Sequence, residues 1–74
     1  MSNQPNKELG RLIRLAQGER SQNPYALQSD VSSAAITRIL SGDYTPSATT
    51  LKKLASKAHG GITYTMLLSA AGIF

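Results

Sequence analysis

Residues 22–42 read QNPYALQSDVSSAAITRILSG, and this stretch decides the fold. It holds two short helical patterns on either side of Asp30-Val31-Ser32. A turn that short cannot fold two helices back as an antiparallel hairpin; it sets them at about 90–120° to each other. In the first pattern Asn23 precedes Pro24. An N-cap followed by a first-turn proline is a favourable start, because proline lacks only an N–H that the helix start leaves unpaired anyway. The pattern predicts a helix over 24–29, with Ala26 facing inward. The second helix is predicted over about 33–40, with Ser32 as N-cap and Gly42 as the stop.

Drawn as a wheel at about 100° per residue, the second helix has two unlike sides. Ala35, Ile36, Ile39 and Leu40 fall together, and Val31, Ile36 and Ile39 fill the angle between the two helices. Ser33, Ala34, Thr37, Arg38 and Ser41 fall on the opposite side. A solvated helix face usually carries several Lys and Glu, whereas this one is short, polar and singly cationic. Small side chains of that kind let a helix backbone approach the floor of a DNA major groove, where short donors reach base edges.

Working outward, helical spacing recurs and no strand-like alternation persists. Leu9, Leu12, Ile13 and Ala16 mark a helix that starts after Asn6 as N-cap and ends near Gly18. Beyond Gly42 a loop, Gly42-Asp43-Tyr44-Thr45-Pro46, leads to Ser47, which caps a helix over 48–58 striped by Leu51, Leu54, Ala55 and Ala58. His59-Gly60-Gly61 ends it. Thr63 caps a last helix over 64–71, with Met66, Leu67 and Ala70 on one face and Gly72 at its end. The expected fold class is all-α: a compact five-helix domain over 7–74 with a central helix-turn-helix, preceded by a flexible arm over 1–6.

Composition narrows the function. Seventy-four residues make one domain, and a chain this short buries only about 60% of its unfolded surface. It has no cysteine, and its single histidine, His59, cannot build a zinc site. No metal and no cofactor is expected. No apolar run approaches the roughly 20 residues of a membrane span, and the polar start has no signal-peptide core. Eight Lys and Arg against four Asp and Glu leave a formal charge of +4. That excess favours an anionic partner such as nucleic acid, or serves solubility alone. Enzymatic readings lack parts: there is no paired-carboxylate motif, no thiol nucleophile and no glycine-rich phosphate loop.

The segment 29–42, together with Gly18-Glu19-Arg20-Ser21-Gln22-Asn23 upstream, Pro46-Ser47 and Thr50-Leu51-Lys52-Lys53-Leu54-Ala55 downstream, and the ending 64–72, resembles the lambda-repressor-like, or Xre-type, helix-turn-helix regulators. The resemblance runs from about Leu9 to Gly72. It implies a five-helix fold whose third helix lies in the major groove. Carried over by position, Ser33, Ala34, Thr37 and Arg38 face bases, Gln22 and Asn23 touch phosphate at the positive end of the second helix, and Ser41, Tyr44 and Ser47 lie along neighbouring phosphates. Two positions depart from the pattern. Asp30 stands where the family usually has glycine, which requires left-handed backbone there. Pro24 moves the expected helix start past Gln22 and so displaces the contact a glutamine there usually makes.

Each residue also has a plainer role. Arg38 reads guanine, binds phosphate or pairs with an acid; Ser33 and Thr37 face the groove or are exposed hydroxyls; Ala34 meets a thymine methyl or is simply a good helix former. Tyr44 reaches phosphate or lays its ring on the core. Arg11, Arg14, Lys52, Lys53 and Lys57 are solvated helix faces that add long-range attraction, and His59 suits a helix C-terminus.

The expected function is sequence-specific binding of double-stranded DNA by a bacterial or phage transcriptional regulator. It would be a cytoplasmic, nucleoid-associated repressor acting as a homodimer on an operator, with a further C-terminal regulatory domain possible. The alternative is a helical protein-interaction module, antitoxin-like or an adaptor, that keeps the fold without reading DNA. Its support is an apolar tail of Leu68, Ile73 and Phe74.

Overall fold

The computed structural model describes residues 5–42 and 44–73. These form five helices: α1 (Pro5–Gln17), α2 (Gln22–Ser29), α3 (Ser33–Ser41), α4 (Ala48–Ser56) and α5 (Tyr64–Ala71). No strand occurs among the described residues. The all-α, five-helix expectation therefore holds. Asp43, Phe74 and the first four residues of the expected arm lie outside the described residues.

Caps explain most helix starts. Ser32, Ser47 and Thr63 each accept a hydrogen bond from the amide three residues on, at Ala35, Thr50 and Met66. Two starts differ from expectation. α1 begins at Pro5, so Asn6 is inside the helix rather than its cap; proline's fixed φ suits a first turn. α2 begins at Gln22 with Ser21 as N-cap. Asn23 is thus a first-turn residue, and Pro24 sits third in the helix, where its missing N–H still costs nothing. α4 ends at Ser56 instead of Ala58, with Lys57 as C-cap.

The turn after α2 is a left-handed C-cap. Asp30 has φ 60° and ψ 42°, and the Val31 amide returns to the Ala26 carbonyl at 3.0 Å. Asp30 is the one non-glycine residue at positive φ among the described residues. Aspartate tolerates this region better than most residues, so glycine's position is filled at modest cost. That geometry aims α3 across α2.

The core is built from every helix. Leu9, Ile13, Ala16, Tyr25, Ile36, Ile39, Leu51, Leu54 and Leu67 are wholly inaccessible, and Leu12, Ala26 and Ile62 nearly so. α1 packs on α3 and α5, while α2 packs on α3 and α4. Gly10, the glycine inside α1, faces the end of α3: a Cβ there would sit 3.5 Å from the Ile39 and Leu40 carbonyl oxygens. The expected inward face of α5 needs correction. Leu67 is buried, but Met66 is exposed and lines a shallow groove with Leu12 and Ala70 between α1 and α5.

Two residues absent from the expected core hold the bundle together. Tyr25 is buried, and its hydroxyl donates to the Leu54 carbonyl at 2.8 Å. Arg20 lies over its ring at 4.6 Å. Burial pushes the Tyr25 phenol up to about 12, against the opposing pull of the Arg20 charge. The consequence is an alkaline dependence with a definite sign. The folded state keeps its proton after an unfolded tyrosine, at about 10, has lost it. The stabilisation is therefore full below pH 10 and is lost as pH rises to 12. By pH 12 the loss is on the order of 2 kcal/mol. Denaturant melts of wild type and Tyr25→Phe at pH 9 and at pH 12 should show wild type losing about that much more than the variant. Parallel losses in the two proteins would contradict it.

Candidate nucleic-acid interface

α3 presents to solvent the face that its sequence separates from the core. Ala34, Thr37, Arg38 and Ser41 are exposed and Ser33 is half-buried, while Ile36 and Ile39 point inward. On a helix, residues four apart stand side by side, so the face consists of two rows. Ser33 and Thr37 form the row beside the start of α2. Ala34 and Arg38 form the row beside Tyr44, and with Ser32 and Ala35 those three residues line one shallow groove.

Gln22 ties the first row to α2. Its side-chain nitrogen donates to the Ser33 carbonyl at 2.8 Å, to Ser33 Oγ at 3.0 Å and to Thr37 Oγ1 at 2.7 Å. The expectation that Pro24 would move the helix start beyond Gln22 is thus overturned. Proline is compatible with any first-turn position, and Ser21 in extended geometry supplies the cap (φ −77°, ψ 170°). Gln22 opens α2 and sits against the exposed face of α3. Asn23, next to it, is exposed.

The amino end of α2 is also chemically distinct from those of α3, α4 and α5. Its N-cap side chain, Ser21, makes no capping hydrogen bond. The Gln22 and Asn23 amides therefore carry the partial positive charge of the helix end without an internal acceptor from the cap. On the far side, Ser47 Oγ is engaged in capping α4 and touches Thr50 Oγ1 at 3.3 Å. Ser41 Oγ donates to the Arg38 carbonyl at 2.9 Å. Tyr44 is half-buried and packs against the core, so its ring takes the packing role while its position borders the groove.

The arginines fall into different classes. Arg11 pairs with Glu8, one turn back on α1, and holds that carboxyl below its usual range. Arg20 is half-buried and committed to partners within the fold. Its Nη2 donates to the carbonyls of Ala16 at 2.6 Å and Lys57 at 2.8 Å, its Nε to Gln17 at 2.9 Å, and its Nη1 to Gln28 at 2.8 Å. The guanidinium of Arg38, by contrast, has no partner among the described residues and stands exposed on α3. Lys53 is 3.6 Å from Asp30, an exposed pair of little energetic weight.

Sequence reasoning missed Arg20 and Tyr25 altogether. A cation just past a helix C-terminus was the available signal for Arg20. Among the described residues no cluster of His, Cys, Asp or Glu can hold a metal ion, and no helix is long and apolar enough to cross a membrane.

No curated protein and no solved structure matches the chain. A helix-turn-helix family model matches residues 11–58, a span that takes in α2, the turn and α3 whole. With the five-helix architecture, that match places the chain in the Xre/lambda-repressor-like helix-turn-helix family of DNA-binding transcription regulators.

Proposed function

We propose that this protein is a sequence-specific repressor that lays α3 in the major groove of an operator. The observation that carries the reading is the exposed face of α3: short side chains around an arginine with no partner among the described residues, flanked by a helix start whose N-cap side chain makes no capping hydrogen bond. Ser33, Ala34, Thr37 and Arg38 face base edges. The Gln22 and Asn23 amides meet a phosphate on one side, and Ser41, Tyr44 and Ser47 follow the phosphates on the other. Two copies bind a palindromic site with half-sites about 10 base pairs apart, and block polymerase sterically. The protein works in the cytoplasm, where its operator lies. The protein-interaction alternative loses part of its basis, since Leu68 of the apolar tail is packed against the core and only partly accessible.

The test is selection from a randomised duplex pool, followed by titration of the enriched sequence at rising salt. A symmetric motif should emerge. Neutralising even two phosphates per domain makes affinity fall about tenfold for one domain, and on the order of a hundredfold for the bound pair, between 50 and 200 mM salt. A protein that enriches no motif, or whose affinity ignores salt, is not a DNA reader.

A further inference from the structure

The amide of Gln22 does more than brace α3. One of its three neighbours, the Ser33 carbonyl at 2.8 Å, only accepts hydrogen bonds. The atom facing it must therefore be the amide nitrogen, because the flipped side chain would set two carbonyl oxygens against each other. That nitrogen has two hydrogens to give. One is shared by the adjacent carbonyl and hydroxyl oxygens of Ser33, and the other goes to Thr37 Oγ1 at 2.7 Å. Both hydroxyls are acceptors in these contacts and keep their own hydrogens.

The usual home for a helical threonine proton is the carbonyl four residues back. For Thr37 that is the Ser33 carbonyl, whose two lone pairs already serve the α3 backbone and Gln22. Among the described residues the Thr37 hydroxyl donates to no protein acceptor. Its proton is left to point outward.

We infer that Gln22 sets the hydrogen-bond polarity of the α3 reading face, so that Thr37, with Ser33 beside it, presents a donor and selects a base acceptor in the major groove. The matching atoms are N7 and O6 of guanine, N7 of adenine and O4 of thymine. The amino groups of cytosine and adenine are donors and leave the Thr37 proton orphaned. An unconstrained threonine hydroxyl rotates to serve either class; here Gln22 already holds one of the two lone pairs, so accepting from an amino group takes the last one and strands the proton, whereas donating to a base acceptor satisfies it. The inference rests on the DNA-reading function proposed above and makes Gln22 a positioning residue that acts through Thr37.

Two measurements test it. In the free protein, both Gln22 side-chain amide protons should exchange with solvent several-fold more slowly than those of Gln28, which is exposed and uses only its oxygen, on Arg20. Equal rates would overturn the inference while leaving DNA binding untouched. On the selected site, base analogues that delete one major-groove acceptor or one amino group at a time are then compared for wild type, Thr37→Val and Gln22→Met. Deleting one acceptor should weaken wild type about fivefold to tenfold and Thr37→Val not at all. Gln22→Met, which keeps the main-chain amide that meets phosphate and removes only the side-chain amide, should retain the rest of the motif but lose discrimination between acceptor and amino group at that base. If wild type responds there only to loss of an amino group, or Gln22→Met keeps the preference intact, the polarity argument is wrong. If no motif is selected at all, the DNA-reading function fails and the inference fails with it.

Discussion

Arg20→Ala is expected to destabilise the domain by about 3 kcal/mol without touching the exposed face of α3. The guanidinium answers carbonyls at two helix ends, Ala16 and Gln17 in the last turn of α1 and Lys57 just past α4. Helix C-termini leave carbonyls without internal partners, and they carry partial negative charge. One cation satisfies both ends at once and lies over the ring of Tyr25, whose hydroxyl in turn reaches Leu54. Hydrogen bonds from a charged donor contribute about 1.5–3 kcal/mol each, but these are partly exposed and share one side chain, so their sum is well below the total of singles. Small domains have about 5 kcal/mol to lose. A loss of 3 kcal/mol lowers the melting temperature by about 15 °C in a chain of this size. Arg20→Lys should recover little, because a single ammonium cannot span that fan of acceptors. Thermal melts of the three proteins decide it. A loss under about 1 kcal/mol would mean that water replaces the guanidinium at no cost.

How much of this was legible in the sequence depended on whether the deciding interaction was local. α3, α4 and α5 could be read at their starts because Ser32, Ser47 and Thr63 each satisfy an amide three residues on, within a single turn of chain. The left-handed turn was readable at Asp30 for the same reason. α2 was misread by two residues because Asn23-Pro24 is a good cap-and-start and an equally good first turn. The choice was made at a distance, where Gln22 meets Ser33 and Thr37 on α3.

Arg20 and Tyr25 lie at the other limit. Nothing near Arg20 in sequence announces a partner 37 residues away at Lys57, and Tyr25 became a core residue only because α4 brings the Leu54 carbonyl to its hydroxyl. The exposed face of α3 shows both behaviours. Its membership follows from helical period alone, and Arg38, Ala34 and Thr37 are exposed as the wheel requires. The half-burial of Ser33 beneath Gln22 was not readable, since period cannot say which flank of a face a neighbouring helix covers.

Arg38→Ala should cost the selected operator about 1–3 kcal/mol in affinity, roughly five- to 150-fold, with the loss concentrated at one base pair. Two observations favour base reading over a purely electrostatic role. Arg38 projects from the exposed side of α3 without a partner among the described residues. It stands one turn from Ala34, whose methyl leaves room for a base pair to approach. A bidentate contact to guanine N7 and O6 fits a guanidinium and not an ammonium. Arg38→Lys should therefore restore charge but not discrimination. A phosphate contact behaves differently: its removal weakens every sequence alike and lowers the slope of log affinity against log salt by about 1. Affinities of wild type and both variants, on the selected site and its single-base-pair substitutions at two salt concentrations, separate these cases. A uniform loss with a shallower salt slope, rescued by lysine, would move Arg38 from the bases to the backbone and leave specificity to Ser33, Ala34 and Thr37.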